Sequence, residues 1–324
     1  MTNALSMLLA ALVFPGGAFA LAFGLALKGA DRRLAARLQG RIGPPLAQPF
    51  FDLVKLGFKR MMAPSEAVEP VFFGAPLLGA ASMLVAVLLV PIAGVYGPAA
   101  ATGDLVVLIY LLAIPGVALM LAGSASGSPY GALGFSREMA MMIAYEGPIV
   151  LIAAAVALRV GLAEGGLPTF SLADIVAYQR AHGALLFDPV MWPAVAAFAF
   201  FYPANLGIVP FDIPEAETEV LEGPLVEYSG PALALVKIMS ALKAVVVLGL
   251  AVALFMPLPF SGIPAFAGWV VQMLALALVG VAAVRVAAGR MRIDQAFVFF
   301  LKWPLTLAFL SLVAAAWFTI GGAP

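Results

Sequence analysis

Acidic side chains are concentrated in one short segment that could handle ions or protons. Of the 17 acidic residues in the chain, five lie between Asp212 and Glu222, and Glu227 follows just beyond. Carboxylates in hydrocarbon surroundings are costly and are more often retained for ion or proton transfer than for stability. Like charges crowded in a low dielectric cannot all ionise, so we expect some pKa values to rise toward neutrality. The residues are Asp212, Glu215, Glu217, Glu219, Glu222 and Glu227.

The segment carries signals for a short helix. Pro214 suits a first helical position, and Gly223-Pro224 ends any helix that begins there. A helix over 214–222 would place Glu215, Glu219 and Glu222 on one face, with Glu217 pointing away. A solvated acidic loop that faces a basic partner is the alternative.

Further ionisable residues fall inside apolar stretches on either side of this segment. Glu146 lies near the middle of one stretch, with Glu138 two turns earlier, and Lys237 and Lys243 lie in the stretch after the acidic loop. A charged side chain at the bilayer centre costs about 2.5–3.5 kcal/mol on the mildest scale. The two lysines, six residues apart, fall on different helix faces, so each needs its own partner or water. These residues predict a buried hydrated path, although Lys237 could instead extend to the cytoplasmic interface.

The elements that must position these residues are membrane helices. The chain is 64% hydrophobic and 10% charged, with a mean hydropathy of +1.09, whereas soluble domains carry about 25% charged residues. Each crossing needs about 20 residues, and eight apolar runs are long enough. We therefore expect an all-α polytopic membrane protein with a single transmembrane domain over 1–324. The predicted spans are 4–27, 71–95, 104–122, 138–158, 190–209, 232–256, 265–284 and 296–318.

The distribution of positive charge predicts the topology. Thirteen lysines and arginines fall in alternate loops, whereas the opposite set holds Arg159 and Arg180. The excess of positive charge marks cytoplasmic loops and places both termini outside. Because Lys28, Arg32 and Arg33 follow the first span, we expect a retained helix rather than a cleaved signal peptide. The cytoplasmic loops, about 28–70 and 210–231, would form a docking surface for a hydrophilic arm.

The first cytoplasmic loop is basic and partly amphipathic. Its positive stretch ends in the rigid turn Gly43-Pro44-Pro45, and 48–59 has the pattern of an interfacial helix. A surface helix that binds lipid headgroups is one interpretation; the rigid turn favours docking of a protein partner. The candidate docking residues are Arg32, Arg33, Arg37, Arg41, Pro44, Pro45, Asp52 and Lys55.

The composition excludes several kinds of cofactor chemistry. The chain has no cysteine and one histidine, His182, so it cannot supply a thiolate-ligated cluster, a structural zinc site or bis-histidine haem ligation. No phosphate-binding glycine loop or nucleophile elbow is present. We expect no catalytic residue, metal ligand or nucleic-acid partner in this chain.

Four motifs resemble one family. They are RLQGRIGPPLAQPFFDLVKLGFK in the first loop, PFDIPEAETEVLEGPLVEYSG over 210–230, AYEGP around Glu146, and Arg292-Ile293-Asp294-Gln295 with Lys302-Trp303 before the last span. Together they resemble the membrane subunit at the heel of respiratory complex I, which is related to NADH dehydrogenase subunit 1, over about residues 15 to 315. The direct passage from Gly43-Pro44-Pro45 to Gln48-Pro49 is more similar to the homologous membrane component of energy-converting membrane-bound [NiFe] hydrogenases, including the formate-hydrogenlyase type.

The resemblance implies a non-catalytic component of a prokaryotic plasma-membrane complex. Such a component contains no redox centre; iron–sulfur clusters and a NiFe centre belong to its partners. The implied partners are [NiFe]-hydrogenase-like large and small subunits, an iron–sulfur subunit, antiporter-like membrane subunits and the lipid bilayer. A buried acid chain that moves protons or sodium maps by motif onto Glu146, Asp212, Glu215, Glu217, Glu219 and Glu227.

Three alternatives remain open from the sequence. The nearest is a quinone-binding NADH:quinone oxidoreductase subunit, in which the first loop and the acidic loop line a quinone site. A free-standing secondary transporter would use the acids to bind a coupling ion, although no inverted repeat is visible. A passive anchor would use them for assembly alone.

Overall fold

A computed structural model describes residues 9–98, 104–163 and 166–320, without the side chains of 217, 218, 319 and 320. The described chain is helical, and its β structure is limited to isolated bridges. The predicted all-α class is confirmed. The helices are α1 Gly17–Leu38, α2 Gln48–Phe58, α3 Glu69–Leu89, α4 Leu105–Ala125, α5 Pro129–Ala163, α6 Leu172–His182, α7 Trp192–Asn205, α8 Glu217–Val220, α9 Gly230–Phe255, α10 Ile263–Leu276, α11 Ile293–Lys302 and α12 Pro304–Ile320.

Seven helices in the described residues are long and apolar enough to cross a membrane. They correspond to seven of the eight predicted spans. α10 contributes through a continuation, the π-helical turn Ala277–Ala283 and a final turn Val284–Ala287. The spanning helices are Leu9–Leu38, Glu69–Leu89, Leu105–Ala125, Pro129–Ala163, Gly230–Phe255, Ile263–Ala287 and Ile293–Phe318.

The fifth predicted span, 190–209, is not one continuous helix. α7 has 14 residues and is about 21 Å long at 1.5 Å per residue, which is short of a bilayer core of about 30 Å. Asn205 ends the helix because Gly207 adopts a left-handed conformation, with φ 63°, and Pro210 has no amide hydrogen to donate. The irregular segment 206–216 follows.

The chain nevertheless passes from one end of the bundle to the other between 188 and 212. Before α7, Asp188 Oδ2 accepts a 2.8 Å bond from Arg159, near the end of α5. After α7, Asp212 is bound by Arg290, in the basic loop between the sixth and seventh long helices. The eighth crossing is thus a short helix completed by irregular chain. Irregular backbone at membrane depth is tolerated where it is buried or lines a cavity.

α9 is the central helix of the bundle. The most apolar window of α9 is 83% buried, the highest value among the long helices. Glycines let its neighbours approach closely: a Cβ at Gly24 of α1 would overlap the carbonyl oxygen of Ala241, and one at Gly79 of α3 would overlap the sulfur of Met239. Such small residues permit close helix packing in membranes. The central position brings Lys237 and Lys243 into the interior.

Candidate functional site

A charged cavity of about 450 Å³ lies between α1, α9, the end of α10 and the segment 206–216. A deeper cavity of about 70 Å³ shares several of its residues and reaches Glu138, Tyr145 and Asn205. Cavities that hold water need this combination of room and polar partners. The charged side chains that line the larger cavity are Lys28, Asp31, Arg32, Asp212, Glu215, Glu222, Lys237, Lys243, Arg285 and Arg290.

Two ion pairs join the basic loop after α10 to the wall of the larger cavity. Arg290 binds Asp212 through two parallel contacts, Nε to Oδ1 at 2.9 Å and Nη2 to Oδ2 at 2.5 Å. Arg285 Nη1 donates to Oδ2 of Asp31 at 3.0 Å. Bidentate arginine–carboxylate pairs fix orientation as well as position. These pairs attach the irregular segment to the loop and hold two of the carboxylates in the ionised form.

Glu215 faces three lysines from two helices. Burial raises the pKa of the Glu215 carboxyl above its usual value of 4.5, opposed by the charges of Lys237, Lys28 and Lys243 in that order, and Glu222 raises it further. Lys28 also donates a hydrogen bond to the hydroxyl of Ser240. A raised pKa means that Glu215 takes up a proton more readily than a solvated glutamate does.

Glu138 and Lys243 lie deeper and are each 8% exposed. Lys243 interacts with the charges of Glu138, Glu215 and Glu146, in decreasing order. Gly116 of α4 makes room for the carboxylate, because a Cβ there would lie 2.9 Å from Glu138 Oε1 and 3.6 Å from Tyr145 Oη. A buried cation therefore lies among three carboxylates on α5 and the acidic segment.

Glu146 extends this arrangement along α5. Its Oε1 is buried and has no hydrogen-bond partner among the residues that the structure describes. Tyr145, between the two acids in space, interacts with the charges of both Glu138 and Glu146. Asn205, at the end of α7 and 3% exposed, likewise has a buried Oδ1 without a partner within the described ranges. Unpaired buried acceptors in a polar cavity are positions for bridging water.

The predicted helix over 214–222 is wrong. The structure has one short helical turn, α8, because Leu221 and Glu222 adopt left-handed backbone conformations, with φ of 51° and 68°, which end an α-helix. The carboxylates therefore do not share one face. Glu219 is instead paired with Nη1 of Arg137 at 2.5 Å.

The remaining acids of the segment also separate. Glu222 is exposed at the edge of the larger cavity, and Glu227 is half-buried and lines neither cavity. The side chain of Glu217 lies outside the described part of the chain. Asp212 and Glu215 are the members of the segment that line both cavities. The candidate site is thus smaller than the acidic segment.

The expectation that the two lysines need separate partners is also wrong. Lys237 and Lys243 both line both cavities, and both act on Glu215. Their long side chains reach one space from different sides of α9, because α9 is enclosed by other elements. Lys237 is exposed to this space, whereas Lys243 is buried.

The acidic segment is held against the bundle by close packing. A Cβ at Gly134 of α5 would overlap Cδ of Pro224, so the segment rests directly on the helix backbone. Tyr228 donates its hydroxyl to the carbonyl oxygen of Phe72 at 2.7 Å, and the rings of these two residues stack at 4.1 Å. Burial raises the pKa of Tyr228, which keeps this donor protonated.

The candidate docking residues lie mainly on the surface at the basic end of the bundle. Arg32 pairs with Asp52 at 3.4 Å, and Gln48 donates to the same carboxylate at 2.8 Å. Arg41 bonds Gln39. Arg37, Arg41, Pro45 and Lys55 are exposed, whereas Arg33 and Pro44 are half-buried.

Several site residues escaped prediction from the sequence. Lys28, Arg285 and Arg290 served only as topology markers, although all three line the larger cavity. Asp31, three residues after Lys28 within the first spanning helix, was the available signal for a charged interior. Gly116 and Asn205 carry no sequence signal, because their roles depend on which helix lies opposite.

Comparisons with known proteins agree with this architecture. Residues 9–316 match the NADH dehydrogenase family. The chain is 36% identical to hydrogenase-4 component C of Escherichia coli K12 over 229 residues, 71% of this chain and 70% of that one. It is 35% identical to formate hydrogenlyase subunit 4 of the same organism over 231 residues, 71% and 72% of the two chains.

Longer matches extend to other membrane complexes. The chain is 32% identical over 314 residues to a subunit of the NADH-quinone oxidoreductase of Rubrobacter xylanophilus, covering 90% of each. Its fold is similar to a chain of the membrane-bound sulfane sulfur reductase, an archaeal respiratory membrane complex. That likeness has a TM-score of 0.85 and 27% identity, covering 97% of this chain and 100% of that one.

Proposed function

Because this chain belongs to the NADH dehydrogenase family, we propose that it is the membrane-anchor and energy-coupling subunit of an energy-converting hydrogenase complex in a prokaryotic plasma membrane. It links electron transfer in a peripheral arm to translocation of protons or sodium. Its partners are [NiFe]-hydrogenase-like large and small subunits, an iron–sulfur subunit and antiporter-like membrane subunits. Those partners hold the NiFe centre and the clusters. The highest sequence identities reported above, to hydrogenase-4 and formate hydrogenlyase subunits, support this choice.

One observation carries the proposal: buried acids and bases alternate from the charged cavity into the middle of α5. The order is Glu215, Lys243, Glu138, Tyr145 and Glu146, connected by the electrostatic interactions of Lys243 and Tyr145. Neighbouring groups of opposite charge share protons readily, since a change at one alters the protonation of the next. Water in the two cavities completes the path.

Electron flow in the arm acts on this string by charge. A unit charge that arrives about 10 Å from Glu215 changes its energy by about 1.7 kcal/mol at an effective dielectric of about 20. That is more than one pKa unit, enough to protonate or deprotonate a carboxyl whose pKa is already raised. The proton then passes by way of Glu138 toward Glu146 and on to a neighbouring membrane subunit.

The arm docks on the loops 28–70 and 210–231. Exposed Arg37, Arg41 and Lys55 give the first loop a basic surface, and the exposed phenyl rings of Phe51 and Phe58 on α2 add apolar contact area. Arginine and aromatic side chains of this kind are enriched at protein interfaces. Arg32 and Glu222, at the cavity wall, lie where a charge in the arm acts most strongly.

The test measures ion movement and hydrogen production in the same vesicles. We expect Glu215→Gln and Glu146→Gln to abolish ion pumping and to reduce or uncouple hydrogenase activity. Glu66→Gln is the matched control, because Glu66 is an exposed carboxylate outside both cavities. Unchanged pumping together with unchanged hydrogenase activity in both variants would count against the proposal.

A quinone-binding subunit of an NADH:quinone oxidoreductase is the second candidate. It is favoured by the match to the Rubrobacter xylanophilus protein, which covers 90% of both chains. The larger cavity favours the hydrogenase, because ten charged side chains line it and an isoprenoid tail requires an apolar channel. A response of the purified complex to added quinone or to quinone-site inhibitors would establish the second candidate.

A further inference from the structure

A second space, distinct from the charged cavities, opens between α1 and the end of α10. It has a volume of about 250 Å³, and its wall is formed by Leu34, Leu46, Leu274 and Leu278. Leu46, Leu274 and Leu278 are 40% to 49% exposed, so the wall faces outward from the bundle. We call this space the lateral crevice. In a membrane, an outward apolar wall meets acyl chains.

Two arginines, Arg33 and Arg37, border the lateral crevice. They are four residues apart on α1 and therefore lie on the same face. Among the described residues neither has an ion pair, whereas nearby Arg32 is bound to Asp52 and Arg41 to Gln39. Guanidinium groups without a protein partner are suited to bind phosphate, often through two parallel hydrogen bonds.

The position of the crevice matches the headgroup level of the bilayer. It adjoins the last turns of α1, which ends at Leu38 and leads into the basic loop. Basic pockets between membrane helices on the cytoplasmic side are suited to anionic lipid headgroups. Asp31 also borders the crevice, but it is bound by Arg285 at 3.0 Å, so its charge is already compensated.

We propose that an anionic phospholipid occupies the lateral crevice. Its phosphate binds Arg33 and Arg37, and an acyl chain lies along Leu274 and Leu278. Because Asp31 and Ala277 line both this crevice and the larger charged cavity, the bound lipid forms part of the barrier between that cavity and the bilayer. The inference concerns lipid binding and stands independently of the proposed hydrogenase function.

The test reconstitutes the purified complex into nanodiscs of phosphatidylglycerol and phosphatidylcholine and measures the retained lipid by native mass spectrometry. We expect preferential retention of phosphatidylglycerol, and a loss of that preference by about thirtyfold in Arg33→Gln/Arg37→Gln, at about 1 kcal/mol for each arginine near the surface. Arg41→Gln is the control, because Arg41 lies on the same loop and does not line the crevice.

A second variant tests the location. Ala30→Phe would fill the crevice that Ala30 lines and leave both arginines in place, so we expect it to lower retention of both lipids. Equal retention of the two lipids by the unmodified complex, retention unaffected by the arginine variants or by Ala30→Phe, or retention of a quinone alone would overturn the proposal.

Discussion

Replacement of Lys243 by methionine removes the cation on which the buried carboxylates depend. Lys243 is 8% exposed and lies about 20 Å along α9 from Gly230, at 1.5 Å per residue, which places it near the middle of the bilayer. Methionine preserves most of the side-chain length and volume, so packing changes little. The principal effect is that Glu138, also 8% exposed, loses its main counter-charge.

The magnitude follows from the burial of both groups. Removing one member of a buried ion pair costs about 3–5 kcal/mol when the other charge remains. Glu138 can reduce this cost by binding a proton, so we expect a loss of about 3 kcal/mol for Lys243→Met. In the double variant with Glu138→Gln neither charge remains, and we expect a coupling free energy of about 2–3 kcal/mol.

The assay is unfolding of this chain within the purified complex, followed by pulse proteolysis for the four members of the cycle. Lys237→Met is the matched control, with the same substitution on the same helix at an exposed lysine; we expect a loss below about 1 kcal/mol. Effects of Lys243→Met and Glu138→Gln that add to within about 0.5 kcal/mol would refute the coupling between these two residues.

Three further predictions concern the elements around the site. Gly280→Ala should destabilise the protein, because its Cβ would overlap the Tyr202 hydroxyl; Tyr202→Ala in the same chain should restore thermal stability, and no restoration would contradict the clash. The pKa of Glu215 is raised by burial, so its stabilising contribution is complete below about pH 4.5 and is lost as the pH rises through the folded-state pKa; Glu215→Gln should flatten this part of the stability–pH profile, and an unchanged profile would contradict it. Arg290→Gln leaves Asp212 without its bidentate partner and should destabilise the segment 206–216 by about 1.5–3 kcal/mol, measured by hydrogen exchange; unchanged protection there would contradict it.

The sequence predicted the helices well where apolar length alone determines the structure. Seven spans and the surface helix α2 lie where hydropathy and amphipathic spacing placed them. α7 departs from the prediction because the apolar run 190–209 continues past Asn205, whereas the helix does not. A hydropathy profile has no term for the left-handed Gly207 that follows.

The site was harder to predict because its charges meet only after the helices pack. Glu138, Glu146, Glu215 and Lys243 were identified from their cost in hydrocarbon, and the structure brings them together. The pairing of Glu219 with Arg137 spans 82 positions and leaves no local pattern. The left-handed conformation of Leu221 and Glu222 separated acids that helical spacing would have grouped, since non-glycine residues rarely adopt it.

Infrared difference spectroscopy during turnover tests most directly whether Glu215 exchanges a proton as electrons flow. The unmodified complex and Glu215→Gln would be compared under alternating oxidising and reducing conditions. We predict a protonated carboxyl band that appears and disappears with electron flow and is missing from the variant. A Glu215 that stays deprotonated throughout turnover, held by Lys28, Lys237 and Lys243, would contradict the account.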